Sequence, residues 1–347
     1  MKIVKNIYPK ETLTVLDFGS EVVAAFVAQK KSDGTFHILG AGDSKTRGVK
    51  NGEIQNLGDA VEPVVEALRK AEDSSDAASG TVYFNFDDCQ MQSERFRGSK
   101  TLAGEGEIEL SDIEEAKAAA LRMAGHFEKR IVYAKEVSFI IDERDTVENP
   151  VGVFGRRLDV VVHVLQARSL YCEEWEKIMK RAQVDRAVLV PSAWSTACGI
   201  LPKEDRKRKR LIVDWGNDYV NVFVFGDNRI YEHRTLLAST VVQKGASELS
   251  FLCEKFKDAY ADIDQHLLTG DDAQREGNLD ALKNGANLSF ELAAPVGVPK
   301  LTSPRFSSAA GLFSIADEIE RKMPFLRKKG LLGNVRKKAI AFINEYF

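Results

Sequence analysis

The chain has 347 residues, 44% hydrophobic and 29% charged, with a formal net charge of -3. That composition suits two or three globular domains with proper cores. It excludes a strongly basic nucleic-acid binder, and no stretch approaches the roughly 20 apolar residues of a membrane span. Cys89, Cys172, Cys198 and Cys253 are far apart without CxxC pairing, which fits reduced thiols of a cytosolic protein better than a disulfide set or a zinc site. Met1-Lys2-Ile3-Val4-Lys5 lacks the apolar run of a signal peptide, so none is expected.

Val15-Leu16-Asp17-Phe18-Gly19-Ser20, with Val22 to Val27 leaving again, reads as a β-hairpin whose turn exposes a carboxylate, N–H groups and a hydroxyl. Consecutive N–H groups in a turn make an anion-binding concavity. The Ser hydroxyl can donate to a phosphate oxygen, and the Asp can hold hydrated Mg²⁺ through water. The design recurs in Leu211-Ile212-Val213-Asp214, Trp215-Gly216-Asn217-Asp218 and Tyr219 to Phe225. One copy is compatible with ordinary Asp-x-Gly turn chemistry. Two copies predict two related domains facing each other across a cleft.

Phe36 to Gly42 is a third strand with a glycine exit, and Ser44 to Ile54 a turn-rich connection. Asp59 is the expected N-cap of an amphipathic helix over 59–72, with Val61, Val64, Val65 and Leu68 at helical spacing. Thr81 to Phe86 is a strand. In this order, Asp17-Phe18-Gly19-Ser20, Ile38-Leu39-Gly40-Ala41-Gly42 and Thr46-Arg47-Gly48-Val49-Lys50-Asn51-Gly52 before that helix resemble the bacterial cell-division family FtsA, of the actin-like ATPases. The resemblance implies an α/β, actin-like (ribonuclease H-like) two-domain fold with an FtsA-type inserted subdomain of the SHS2 kind.

Residues 1–81 and 166–205 would form the first domain, with 82–165 as the insertion. Within it a helix starts at Ser111, Val132 to Ile141 is a strand, and Asn149-Pro150-Val151-Gly152-Val153 with Gly155 and Arg157 resembles a family signature. Leu158 to Leu165 is a strand carrying His163, which has no catalytic partner at a telling spacing and is read as structural. Leu170 to Ala182 and Ser192 to Ile200 are helices flanking the strand Ala187 to Pro191. Lys203 to Arg210 is a charge run read as a solvated loop.

Residues 206–319 would be the second domain. Where the family shows a Gly-rich run after the second Asp, this chain has Trp215-Gly216-Asn217-Asp218, placing a carboxylate where phosphate would approach. Glu21-Val22 stands where a Lys is usual. Gly245 to Leu268 reads as one long helix entering a strand. Thr269-Gly270-Asp271 resembles the adenosine motif, with Asp271 in place of a second Gly. With only a strand and that helix between these motifs, the outer subdomain of the second domain is expected to be missing. Phe306 to Phe313 is the closing small-residue helix.

Residues 320–347 form a linker and a basic amphipathic helix. Leu331, Leu332, Val335, Phe342, Ile343, Tyr346 and Phe347 would enter a membrane interface, while Arg336, Lys337 and Lys338 meet anionic lipid. A helix docked on its own domain would carry the same pattern.

The resemblance implies a membrane-associated scaffold on the cytoplasmic face of the inner membrane at the division site. It would tether FtsZ-like filaments, recruit later division proteins and self-associate, without nucleic acid. Asp17, Gly19, Ser20, Asp214, Gly216, Asn217, Thr269 and Gly270 would line a degenerate site for ATP with Mg²⁺, Asp17 and Asp214 holding the metal through water. The alternatives are a PilM-like actin-fold platform of type IV pilus or secretion machinery, and an active ATPase or kinase of the same fold.

Overall fold

A computed structural model describes residues 12–77, 80–243, 247–286 and 288–322. The expected membrane segment, residues 331–347, lies outside the described residues.

The first sheet holds β1 (Thr12–Phe18), β2 (Val22–Lys30), β3 (Phe36–Lys45), β6 (Thr81–Phe86) and β11 (Arg186–Pro191), in the order β11-β6-β1-β2-β3. β1 and β2 are the predicted hairpin, antiparallel from Thr12↔Gln29 to Phe18↔Val23. A two-residue ladder, β4 (Val49–Lys50) with β5 (Glu53–Ile54), leads to helix α1 (Leu57–Ser75). The helix starts two residues before the expectation because Asn56, not Asp59, is its cap: the Asn56 side chain accepts from the Gly58 and Asp59 N–H groups. β3 also runs through the glycines expected to end it. Gly42 seats α1 on the strand, since a Cβ there would lie 2.2 Å from the Ala67 carbonyl oxygen.

The insertion is a four-stranded sheet, β7-β10-β8-β9, built from β7 (Gln92–Glu107), β8 (Lys129–Ile141), β9 (Asp145–Val147) and β10 (Phe154–Arg168). Helix α2 (Leu110–Ala124) packs Ile113, Ala116 and Ala120 onto Leu158, Val160 and Val162. Its cap is Glu109, two residues before the expected Ser111 start; the Glu109 N–H donates to Asp112. The expected boundary at residue 82 moves past Phe86, because β6 pairs in parallel with β1 and β11 in the first sheet. The far boundary moves from 165 to Arg168, the end of β10. Helix α3 (Ser169–Arg181) follows, and α4 (Ser192–Ile200) continues directly from β11.

The second sheet, β14-β13-β12-β15-β16, repeats the first. β12 (Lys209–Trp215) and β13 (Tyr219–Gly226) are the second hairpin, and β14 (Arg229–Leu237) adds antiparallel to it. β15 (Ile263–Thr269) and β16 (Phe290–Leu292) add in parallel on the other side, as β6 and β11 do beside β1. The expected helix entering a strand over 245–268 is α6 (Ser247–Ala259), shorter than expected because the chain turns at Tyr260 into β15, and a further short helix, α5 (Ala238–Gln243), precedes it. Between β14 and β15 the described residues hold only these two helices. Helix α7 (Asn278–Ala286) precedes β16.

Helix α8 (Ser307–Lys322) extends past the expected boundary at 319. It also belongs to the first core rather than the second: Leu312, Phe313, Ile315 and Ile319 pack with Val15, Leu16 and Phe84, and Phe36 stacks on Phe313 at 5.5 Å. Every residue of α4 is buried between α8 and the second sheet. Gly199 and Gly311 let α4 and α8 touch: a Cβ on Gly311 would lie 1.6 Å from the Ser195 carbonyl oxygen, and one on Gly199 1.8 Å from that of Ser307.

The charge run is not wholly solvated. Arg206 and Arg210 are buried. Arg206 donates from Nε to the Leu201 carbonyl (3.0 Å) and from Nη2 to that of Cys198 (2.6 Å), while Arg210 donates to Gln265 and to the Asp205 and Arg208 carbonyls. Charge alternation along the sequence cannot distinguish an arginine that ties carbonyls from one that faces water.

Candidate functional site

The two hairpin turns come together at one cleft, as their repetition predicts. Asp17 is the next-to-last residue of β1 and accepts from the Asn85 side-chain amide at 2.7 Å, while the Asn85 side-chain oxygen accepts the Phe18 N–H at 2.7 Å. Asp214 occupies the same place on β12 and accepts from the Thr196 hydroxyl at 2.6 Å. Gly19 and Gly216 also match: each N–H closes its own turn, onto the Val22 and Tyr219 carbonyls. Those two N–H groups are therefore spent within the hairpins and not turned to a ligand.

Of the expected site residues, Asp17, Gly19, Ser20, Asp214, Gly216 and Gly270 line the cleft. Asn217 and Thr269 are not among its lining. Thr269 is fully buried, its hydroxyl bonded to that of Ser307 at 2.6 Å. Gly270 has φ +105°, and a Cβ there would lie 2.6 Å from Asp214 Oδ1. Only glycine lets the turn after β15 lie against the end of β12.

Sequence reasoning missed what fills the space. Asp87, one residue beyond β6, joins the acidic wall and accepts from the Asn221 amide at 2.8 Å. Its signal was available: a carboxylate following an apolar strand, as in both hairpins. Phe18 and Trp175 meet edge to face at 4.5 Å, and Tyr171 and Tyr219 complete an aromatic wall. Gly52 is gripped from both domains. Its N–H donates to Asp218 across the cleft at 3.1 Å, its carbonyl accepts from the Tyr171 hydroxyl, and the Tyr219 ring rests where a side chain would be. The remaining cavity is about 100 Å³.

Electrostatically the cleft is acidic. Burial pushes the Asp17 carboxyl up to about 7, with the Asp271 charge adding to it. Burial does the same to Asp214, to about 7, and to Asp87, to about 6. Asp271 is raised by burial, opposed by Arg305, whose Nε lies 3.6 Å from it. Arg305 is the one cation among the residues lining the cleft.

A raised carboxyl pKa means the folded chain binds protons more tightly than the unfolded chain. The stabilisation is complete below about 4 and is lost as pH rises through about 7. Asp17→Asn or Asp214→Asn is therefore expected to raise the melting temperature relative to the parent at pH 8, with a smaller gain at pH 5 that vanishes only below about pH 4. Melts of parent and variants at both pH values check this. A variant destabilised equally at both would show that the carboxylates are not strained by ionisation.

His163 is buried, with Nε2 2.8 Å from the Ser93 hydroxyl, and burial holds its pKa at about 3. It is a neutral strand histidine, as expected.

Two sheets of one topology, joined through α4 and α8 across an acidic cleft, define the actin-like ATPase fold. The PilM-PilN type IV pilus biogenesis complex is similar, with TM-score 0.62 and 14% identity over 89% of this chain and 99% of that one. So is ethanolamine utilization protein EutJ from Carboxydothermus hydrogenoformans, with TM-score 0.51 and 10% identity over 88% and 90%. Residues 89–166 match the family model of the SHS2 domain inserted in FTSA. Cell division protein FtsA of Pseudomonas aeruginosa is 23% identical over 62% of this chain and 51% of that protein. FtsA of Escherichia coli K12 is 24% identical over 60% and 50%, and FtsA of Buchnera aphidicola 20% identical over 86% and 68%. The chain spans about half the length of the first two relatives. The chain is thus similar to FtsA, with the actin-like fold and an inserted SHS2 domain.

Proposed function

We propose that this chain is a scaffold of the bacterial division machinery, working by binding and not by turning over ATP. The observation that carries this is the cleft. Ligand sites generally offer about 300–1,000 Å³, and here about 100 Å³ remains. Its wall presents the carboxylates of Asp17, Asp87, Asp214, Asp218 and Asp271 with Arg305 as their one cationic companion in the lining. A triphosphate brought among them meets like charge in a partly desolvated space. Asp218 already accepts the Gly52 N–H across the cleft, where a phosphate oxygen would otherwise bridge two domains.

In this reading the rigid body joins FtsZ-like filaments to the inner membrane at the division site, and the SHS2 domain is the surface that recruits later division proteins. The FtsA relatives support it. The tether is the basic amphipathic segment 331–347, acting in the plane of the membrane. No described helix is long and apolar enough to cross a membrane. Vesicle flotation tests the tether: the full chain should float with anionic vesicles, and a chain lacking residues 331–347 should stay in the dense fraction. Equal flotation of both would remove the tether. Cosedimentation with FtsZ filaments tests the partner.

One observation favours a second reading. The likeness to a chain of the PilM-PilN type IV pilus biogenesis complex extends over 99% of that chain, which supports a platform of that kind. A chain that neither floats nor cosediments with FtsZ would favour this platform role.

A further inference from the structure

The body has a second charged hollow, on the side where α8 ends. It is about 500 Å³ and is lined by Lys203, Arg206, Asn228, Glu318, Arg321 and Lys322. Four cations face one carboxylate there, on a chain whose formal net charge is -3. The walls are fixed. Arg206 is 5% exposed and held by the Leu201 and Cys198 carbonyls and by the Ser314 hydroxyl at 3.1 Å. Asn228, with φ +56°, donates its N–H to the Arg206 carbonyl at 3.0 Å and so fixes the turn between β13 and β14 against the arginine.

The rim is crowded with positive charge. Arg321 pairs with Asp317 at 2.7 Å and Lys322 with Glu318 at 3.1 Å, but Asp317 is shared with Lys30 at 2.7 Å. Among the described residues Lys203 has no carboxylate within ion-pair distance, and burial together with the Arg321 charge, opposed by the Asp317 charge, holds its ammonium below the usual lysine range. A group in that position gains from a multivalent anion that satisfies several cations at once.

We propose that this hollow binds the phosphate of an anionic phospholipid head group, so that the body itself contacts the membrane beside the tether. The inference rests on the tether reading above. The volume suits a head group. The placement suits it too, because Arg321 and Lys322, the last described residues, stand on the rim, and the basic segment follows them in sequence. Each cation near an anionic surface contributes about 5-fold in affinity, and fixed spacing around one phosphate makes Lys203 more than a diffuse charge.

The test uses the full chain with vesicles of phosphatidylglycerol in phosphatidylcholine and with pure phosphatidylcholine. Lys203→Glu changes the rim by two charges and should weaken binding to the anionic vesicles about 30-fold, whereas Lys203→Arg should bind like the parent. Lys45→Glu on β3 is a control for net charge and should lose less than Lys203→Glu. Inorganic phosphate should compete with the vesicles more strongly than chloride at equal ionic strength. Parent and Lys203→Glu binding alike, while loss of residues 331–347 still abolishes flotation, would overturn the site and leave the tether intact. A full chain that floats with neither vesicle would overturn the tether reading and this site with it. Phosphate binding that Lys203→Glu abolishes, with flotation unchanged, would assign the hollow to a soluble phosphate and overturn the lipid.

Discussion

Gly311→Val is expected to cost about 3 kcal/mol and to lower the melting temperature by several degrees. At this position α8 crosses α4, and even the first side-chain carbon would sit 1.6 Å from the Ser195 backbone oxygen. The obstacle is backbone within a buried helix, so no side chain can rotate aside. The helices would have to part by more than an ångström, and both are central. α4 is enclosed on every face, and α8 carries Leu312, Phe313, Ile315 and Ile319 into the first core. The Ser195 and Ser308 hydroxyls, 2.7 Å apart across the same junction, would separate as well. Gly199→Val should behave alike, since its Cβ would meet the Ser307 carbonyl oxygen at 1.8 Å. Thermal melts read the effect. A Gly311→Val protein melting within a degree of the parent would mean that the two domains are not joined through this crossing.

Asp88→Ala is expected to cost about 3–5 kcal/mol, the usual penalty for breaking one partner out of a buried ion pair. Asp88 lies just beyond β6, where the chain enters the insertion, and Arg168 ends β10, where it returns. The carboxylate is fully buried and accepts from the Arg168 N–H at 3.0 Å, from its Nε at 3.1 Å and from the Gln90 N–H at 2.9 Å. Arg168 also pairs with Glu53 at 2.8 Å. Both crossings into the SHS2 domain are thus tied to each other and to the loop that carries Gly52. Losing Asp88 leaves the guanidinium and two N–H groups short of an acceptor, which should loosen the insertion as a body. Urea unfolding gives the magnitude, and hydrogen exchange in β7 and β10 locates it. A loss below about 0.5 kcal/mol would show that the insertion is held by its apolar packing alone.

Several elements were legible because their signal is local. The strands Thr12–Phe18 and Thr81–Phe86 and the helix Ser192–Ile200 stand close to where apolar runs and small-residue spacing put them. The twin Asp turns also announced the cleft, since the same strand–Asp–Gly–strand pattern must place both carboxylates at equivalent sheet ends. What the chain did not disclose depended on partners distant in sequence. The buried role of Arg206 needs the Cys198 and Ser314 acceptors, and α8's place on the first sheet needs Phe36 to stack on Phe313. The filling of the cleft was the largest omission. Tyr219 reads as an ordinary strand residue until Gly52, 167 positions earlier, is found beneath its ring. The choice of Asn56 over Asp59 as helix cap was a competition between two good capping residues, and it is Asn56 whose side chain accepts from the Gly58 and Asp59 N–H groups.

Calorimetric titration of Mg-ATP into the parent and into Asp214→Ala most directly tests the proposal that the chain is a scaffold with a closed, acidic cleft. The expected result is no saturable heat from either protein. Saturable, micromolar binding by the parent that Asp214→Ala abolishes would mean that the cleft opens to nucleotide, and the scaffold reading would give way to an active member of the fold.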